Sequence, residues 1–326
     1  MIGSVTKFAL SLAALGAVPA LLPGTPAQAL NNKSFVASYG SDGLNCATAN
    51  AACQTFNHAM TQTNPGGEIT VVDTGDYGPV AIFQSVNITN DGAGEASILV
   101  VNTGSTGITI EAGAGDVISL RGLLLDGLGV GGTGLFISEA SAIHIQNCVI
   151  RNFESFDSFG IVLLAARMFM SDTIVFNNGS NVASGGVLIQ PTHTDSATVV
   201  LDRVHLENNV IGLFVDGSQG TGNGAHVVIR DSVVSGNASD GIRAFSMPGR
   251  APAFLVVDHT SSIDNNGTGI LANGPRATIL LRTNFVTRNG VGISAVNTGQ
   301  LISYGDNGVN NNLGVDGVPT GSYSPI

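Results

Sequence analysis

Asp216, Asp240 and Arg243 come nearest, by type and spacing, to an acid–base site in this 326-residue chain. Hydrolysis of a glycoside usually needs two carboxylates flanking one bond. Asp240 stands in Ser239-Asp240-Gly241-Ile242, just before an apolar stretch, yet the matching places one repeat away hold Ile211 and Thr268. Without a second carboxylate there, Asp240 reads first as a turn residue, and the three charges as a candidate catalytic or cation site. Asp258-His259 puts an imidazole beside an acid, and Arg250-Ala251-Pro252 supplies another guanidinium. Cys46 and Cys53 are spaced for a disulfide or for two metal ligands, but no second pair completes a zinc site. Cys148 reads as a small buried hydrophobe and His58 as a solvated side chain. The chain has no Gly-Lys-Ser/Thr phosphate loop, no nucleophile elbow and no Cys-x-x-Cys.

These residues must be positioned by a repeat. ATVVLDRVHLENN, HVVIRDSVVSGN, FLVVDHTSSIDNN and TILLRTNFVTRN each run apolar strand, polar corner, short strand, asparagine. The last apolar residue before the corner is Met170, Leu201, Ile229, Val257 and Leu281 in turn, with the polar Ser303 a weaker match in the sixth place, at spacings of 31, 28, 28, 24 and 22. Eight residues after each comes Asn178, Asn209, Asn237, Asn265, Asn289 and Asn311. Most are followed by Gly and a branched apolar residue, as at Gly212, Gly241, Gly269 and Gly292. Such self-similarity means a solenoid, and three short strands per repeat mean a β-helix with an asparagine ladder at one turn. Leu120 and Ile145 extend the pattern upstream, and long loops interrupt it at 153–159, 179–185 and 217–224. The corner column Arg121, Gln146, Asp202, Arg230, Asp258, Arg282 alternates in sign over its last four members, which avoids like-charge stacking.

The first 29 residues read as a signal peptide: Lys7, the apolar run FALSLAALGAVPALL and an Ala27-Gln28-Ala29 cleavage site. A secreted or periplasmic protein beginning near Leu30 is expected, with 30–67 as an N-terminal strand, disulfide loop and capping helix and 68–326 as coils and tail. The formal charge of −11 becomes −12 once Lys7 is removed, which excludes nucleic acid and disfavours unassisted binding of anionic polymers, although Ca²⁺ could reverse that locally. No transmembrane span is expected in the mature chain. Residues 52–63 can form a short helix with Cys53, Phe56, Ala59 and Met60 on one face, a lid for the open end of the solenoid, stopped by Asn64-Pro65-Gly66-Gly67.

Phe35-Val36, Gly40-Ser41-Asp42, Thr55-Phe56 and Pro65-Gly66-Gly67 resemble the opening of secreted bacterial right-handed parallel β-helix proteins of the pectin-lyase-like superfamily. With the coils, the resemblance spans nearly all the mature chain. It implies an all-β, single-stranded, right-handed parallel β-helix with an N-terminal capping helix, and polysaccharide chemistry in a groove along one face. The signatures of polygalacturonase-like, pectate lyase-like and epimerase-like members are missing. Val256-Val257-Asp258-His259 matches one lyase segment without its tryptophan, and Arg250-Ala251-Pro252 is half of a motif on the wrong side of it.

The strands after Gly would floor such a groove. Their outward positions, Val162, Leu188, Phe214, Arg243, Leu271 and Ser294, then Leu164, Gln190, Asp216, Phe245, Asn273 and Val296, are largely apolar. Loops folded over this face, or a partner or second copy docked on it, would account for that. Two function classes follow. One is a non-catalytic extracellular or envelope protein presenting a rigid surface to glycan or protein. The other is a polysaccharide lyase, hydrolase or epimerase with a diverged site. The missing motifs and the apolar face favour the first.

Overall fold

The computed structural model describes residues 30–324, so the expected signal peptide lies outside the described residues. Three strands per turn build three parallel sheets of twelve, ten and nine strands among the described residues. In the twelve-stranded sheet the inward column Ile118, Ile143, Met168, Val199, Val227, Leu255, Ile279, Leu301 is held in register from strand to strand. These side chains are at most 1% exposed, and burial of each contributes about 1.5–3 kcal/mol. The column beside it contains every apolar residue taken above as the end of a strand, from Leu120 to Leu281. The chain is a right-handed parallel β-helix.

The turn between the short strands of the ten-stranded sheet and the nine-stranded sheet explains the asparagines. Asn178, Asn209, Asn237, Asn265 and Asn289 are at most 1% exposed. The main-chain N–H of each donates to the side-chain oxygen of the asparagine one coil on, at 2.9–3.1 Å. The Asn237 amide also donates to Asn265 Oδ1 (2.7 Å) and to the Leu206 carbonyl (3.2 Å), so donor and acceptor are both satisfied. The residue before each asparagine is left-handed, as Asn177, Asn208, Gly236, Asp264 and Arg288.

The glycine that follows each ladder asparagine is set by the side-chain amide of the asparagine one coil on. A Cβ on Gly186, Gly212, Gly241, Gly269 or Gly292 would stand 2.6–3.0 Å from the amide nitrogen of the ladder asparagine beside it. Asparagine and glycine are thus one motif, the amide occupying the space a side chain would need.

The ladder ends one residue later than the spacing predicts. Asn289 donates to Asn312, not Asn311. Ser303 pairs with Leu281 and Gly308 with Phe285, so the last corner holds one extra residue. Asn311 takes the left-handed position instead, at φ 57°. A second polar column lies at the other corner, where Cys148, Val204, Thr260 and Asn284 donate their main-chain N–H to the side chains of Thr173, Ser232, Asn284 and Asn307. Its mixed residue types hide it from a search for one repeated letter.

At the N-terminal end the helix spans Phe56–Gln62, shorter than the 52–63 expected, after a 3-10 turn at Ala49–Ala51. Thr55 caps it through the His58 N–H, and Phe56, Ala59 and Met60 are buried. The first coil strand starts at Thr63, so Pro65-Gly66-Gly67 lies within it rather than before it. The Gly-x-Asp turn has two separate causes. A Cβ at Gly40 would lie 2.3 Å from the Cys53 carbonyl oxygen. Asp42 accepts from the N–H groups of Gln54 and Thr55 and from the Thr55 hydroxyl, at 2.8–3.0 Å.

Replacing Asn237 with Ala should lower stability by about 1–3 kcal/mol, because Asn209 N–H and the Leu206 carbonyl lose their partners. Asn237→Asp, equal in size, should cost more. Its carboxylate would face two acceptors in a buried site, which raises its folded-state pKa. The stability it retains is then present below the unfolded pKa of about 3.9 and lost as pH rises through the folded value. Urea midpoints from pH 4 to 8 check this; a pH-independent Asp variant would contradict it.

Candidate functional site

Asp240 and Arg243 are brought together, and Asp216 is held apart from them. Asp240 precedes the strand Ile242–Phe245, whereas Asp216 closes the strand Ile211–Asp216 of the previous coil. Arg243 Nε donates to Asp240 Oδ2 at 2.7 Å, and its guanidinium lies 5.4 Å from the Phe214 ring centroid. The other Asp240 oxygen accepts the Thr268 N–H one coil on, at 2.8 Å. Asp216 accepts from Gln190 Nε2 at 2.6 Å and from the Ser218 N–H at 2.7 Å. Both aspartates are 5% exposed. Each carboxylate already serves two donors within the fold.

The apolar face is partly closed. Phe159, Val162 and Leu188 are buried together, with Phe136, Leu164 and Phe214 half-buried against them. Val182 and Ala183, from the 179–185 loop, line an open cleft of about 260 Å³ with Phe214, Arg243, Phe245 and Asn273. That loop is tied to the 153–159 loop by Asn181–Asp157 and Ser180–Ser155 hydrogen bonds.

The more open face is the outer one of the twelve-stranded sheet, which the sequence reading passed over. Side chains alternate along a strand, so in Ala166–Ser171 the buried Met168 and Met170 force Arg167 and Phe169 outward. Phe169 aligns with His144 and Val200, and the His144 and Phe169 rings stack at 5.1 Å and 12°. In the adjoining column Arg167 aligns with Ala142 and Thr198, followed by His226 and Phe254, whose rings are 5.8 Å apart. Two separate concavities lie along these strands. One of about 280 Å³ is lined by His144, Phe169, Val200, Asp202 and Arg230. The other, about 470 Å³, is lined by Glu139, Arg167, Asp195 and Thr198. The signal that could have found this face is the same alternation that located the core.

Most other charges here are paired. Arg203 bridges Asp172 and Asp202, Arg230 also reaches Asp202, and Asp258 pairs with His259 and Arg282. Hydrogen bonds from Arg203 hold the Asp172 carboxyl below its usual range. Asp258 is a corner residue in register with Arg230 and, through it, with Asp202, and His259 follows it at the same corner. Arg167 has no ion-pair partner among the described residues. Cys148 is buried, and burial pushes its thiol up to about 11, which keeps it protonated and unreactive at neutral pH.

No protein-family model matches the chain, and no curated protein matches its sequence. Its fold is similar to those of three solved structures. A pectate lyase matches at 13% identity and TM-score 0.57, over 81% of this chain and 77% of its own. An alginate lyase from Paenibacillus sp. matches at 12% identity and TM-score 0.59, over 90% and 97%. The ORF18 protein of Geobacillus virus E2 matches at 14% identity and TM-score 0.56, over 79% and 54%.

Asp240→Ala should lower stability by about 1–3 kcal/mol, since Thr268 N–H and Arg243 lose a shared acceptor. A urea denaturation curve reads this; an unchanged midpoint would free the carboxylate for another role. In the native protein Cys148 should resist alkylation at pH 7 and react fully once unfolded, whereas rapid native labelling would contradict its burial. By fold, the chain is a right-handed parallel β-helix, the architecture it shares with pectate lyase and alginate lyase.

Proposed function

We propose that this protein is a secreted or periplasmic β-helix that binds a polysaccharide on the outer face of its twelve-stranded sheet and does not cleave it. The observation that carries this reading is the contrast in how its charges are used. Asp216, Asp240 and Arg243 are each engaged in holding coils or loops together. Arg167, exposed and unpaired, lies two residues from the exposed Phe169 on one strand face. A flat aromatic surface accepts the apolar face of a sugar ring, and a guanidinium fork donates to its hydroxyl or carboxylate oxygens. The formal charge of −11 opposes an anionic chain at long range, but salt screens that repulsion beyond about 8 Å, where a contact to Arg167 is local. The fold similarity to polysaccharide lyases supports a polysaccharide as the ligand class.

Affinity electrophoresis against neutral and acidic polysaccharides, pectate and alginate included, tests the assignment. Wild type should be retarded by at least one polymer, and Arg167→Ala and Phe169→Ala should each weaken that binding about tenfold or more, a loss of ~1.4 kcal/mol. Phe214→Asp, on the other face, should bind as wild type does. Retardation of Arg167→Ala and Phe169→Ala equal to wild type would remove this face from the account.

A further inference from the structure

We infer that two copies of this chain associate face to face through the C-terminal half of the twelve-stranded sheet, with their solenoid axes antiparallel. The outer surface there carries an apolar stripe. Val200, Val228, Val256, Leu280 and Ile302 stand in register on adjacent strands, one per coil, and each is half-buried. On one side of the stripe His226 and Phe254 pair across two coils, with ring centroids 5.8 Å apart. On the other side runs the corner column Asp202, Arg230, Asp258, Arg282, again one residue per coil. The order of these charges identifies the partner as a second copy.

Identical chains that close into a pair do so about a two-fold axis, so the surface must complement itself. An axis parallel to the strands, passing between Gly224–Arg230 and Ala253–Asp258, keeps each column opposite its own counterpart and reverses the order of the coils. The charge order minus, plus, minus, plus then meets plus, minus, plus, minus. Arg230 comes opposite Asp258 of the second copy, and Asp202 opposite its Arg282, each pair occurring twice. The stripe meets itself as Val228 on Val256 and Val200 on Leu280, and His226 comes opposite Phe254. Moving the axis by half a coil, onto either strand, would set like charges against each other, which opposes association.

The same charges also pair within the chain: Arg230 lies 3.1 Å from Asp202, and Arg282 4.0 Å from Asp258. These contacts leave capacity for a second copy. The Arg230 and Arg282 side chains are 51% and 60% exposed, and a carboxylate accepts at about four positions. Six strands, from Ala166–Ser171 to Gln300–Ser303, lie on the symmetric face. At ~4.8 Å per strand and about six residues of ~3.3 Å, they offer ~570 Å² per copy. Twice that, about 1,100 Å², is at the low end for a specific interface, so the dimer is weak and concentration-dependent. At its rim Phe169 comes opposite Ile302 of the second copy, where a bound polysaccharide would compete. The inference therefore concerns the polymer-free protein and does not rest on polysaccharide binding.

Sedimentation equilibrium of the protein without polymer, over a range of concentrations, reads the association. The mass should rise reversibly from that of one chain towards that of two. Val228→Glu and Arg230→Asp should each weaken association about tenfold or more. Combining Arg230→Asp with Asp258→Arg should restore it to within about threefold of wild type, because opposite charges again face each other across the axis. A role confined to one chain gives the reverse, since the combined swap sets like charges on neighbouring coils. Urea midpoints show that each variant remains folded. Wild type that stays a single chain at every concentration would overturn the proposal. So would association unmoved by Val228→Glu, or a combined swap no better than Arg230→Asp alone. A dimer abolished by Phe214→Asp instead would place the contact on the other face and contradict it equally.

Discussion

A buried primary amide with two donors and one oxygen must find partners in every direction, and that requirement organises this molecule. The ladder asparagines meet it only when coils stack in register, because each oxygen receives the main-chain N–H of the asparagine in the preceding coil. The amide also claims the space beside the strand of the preceding coil, which is why glycine stands there. Leaving a buried amide unpaired costs about 1–3 kcal/mol, so a slip of register at this turn would be penalised at several coils together. The apolar columns supply most of the driving force, but they tolerate exchange among Ile, Leu, Val and Met. The asparagine–glycine pairing supplies the specificity.

A rigid scaffold of this kind fixes which side chains share a face without fixing what they do. Asp240 illustrates the point. Its position before a strand resembles that of a catalytic acid, yet its two oxygens hold Arg243 and the next coil's Thr268 N–H. Asp216 is likewise occupied by Gln190 and Ser218. On the twelve-stranded sheet Arg167, Phe169 and His144 are exposed. A stacked ring pair beside an unpaired guanidinium has chemistry left for a ligand, which the locked carboxylates lack.

Much of the fold was legible because its determinants are local and periodic. Asn237, Gly241 and Val257 announce turn, close approach and core at fixed offsets, and one coil predicts the next. The last coil escaped because a single extra residue between Ser303 and Gly308 moves the ladder to Asn312 while leaving an equally plausible Asn311 beside it. The corner column of Thr173, Ser232, Asn284 and Asn307 escaped for a different reason: a hydroxyl and an amide can accept the same N–H, so one physical role carries three residue types. The candidate site was harder to read. Choosing among three outer faces requires knowing which is covered, and the burial of Val162 and Leu188 depends on packing that strand periodicity does not encode. Strand alternation around Met168 and Met170 turns Arg167 and Phe169 outward, but it does not say that they stay exposed.

The central functional claim is that a polysaccharide is held on this surface and left intact. Its most direct test is the chain length of the polymer after prolonged incubation with the protein, with and without Ca²⁺, measured by light scattering on material first shown to be bound. An unchanged molar mass, with no new reducing ends and no new unsaturated-sugar absorbance, is the predicted result. A falling molar mass would contradict it and establish an enzyme.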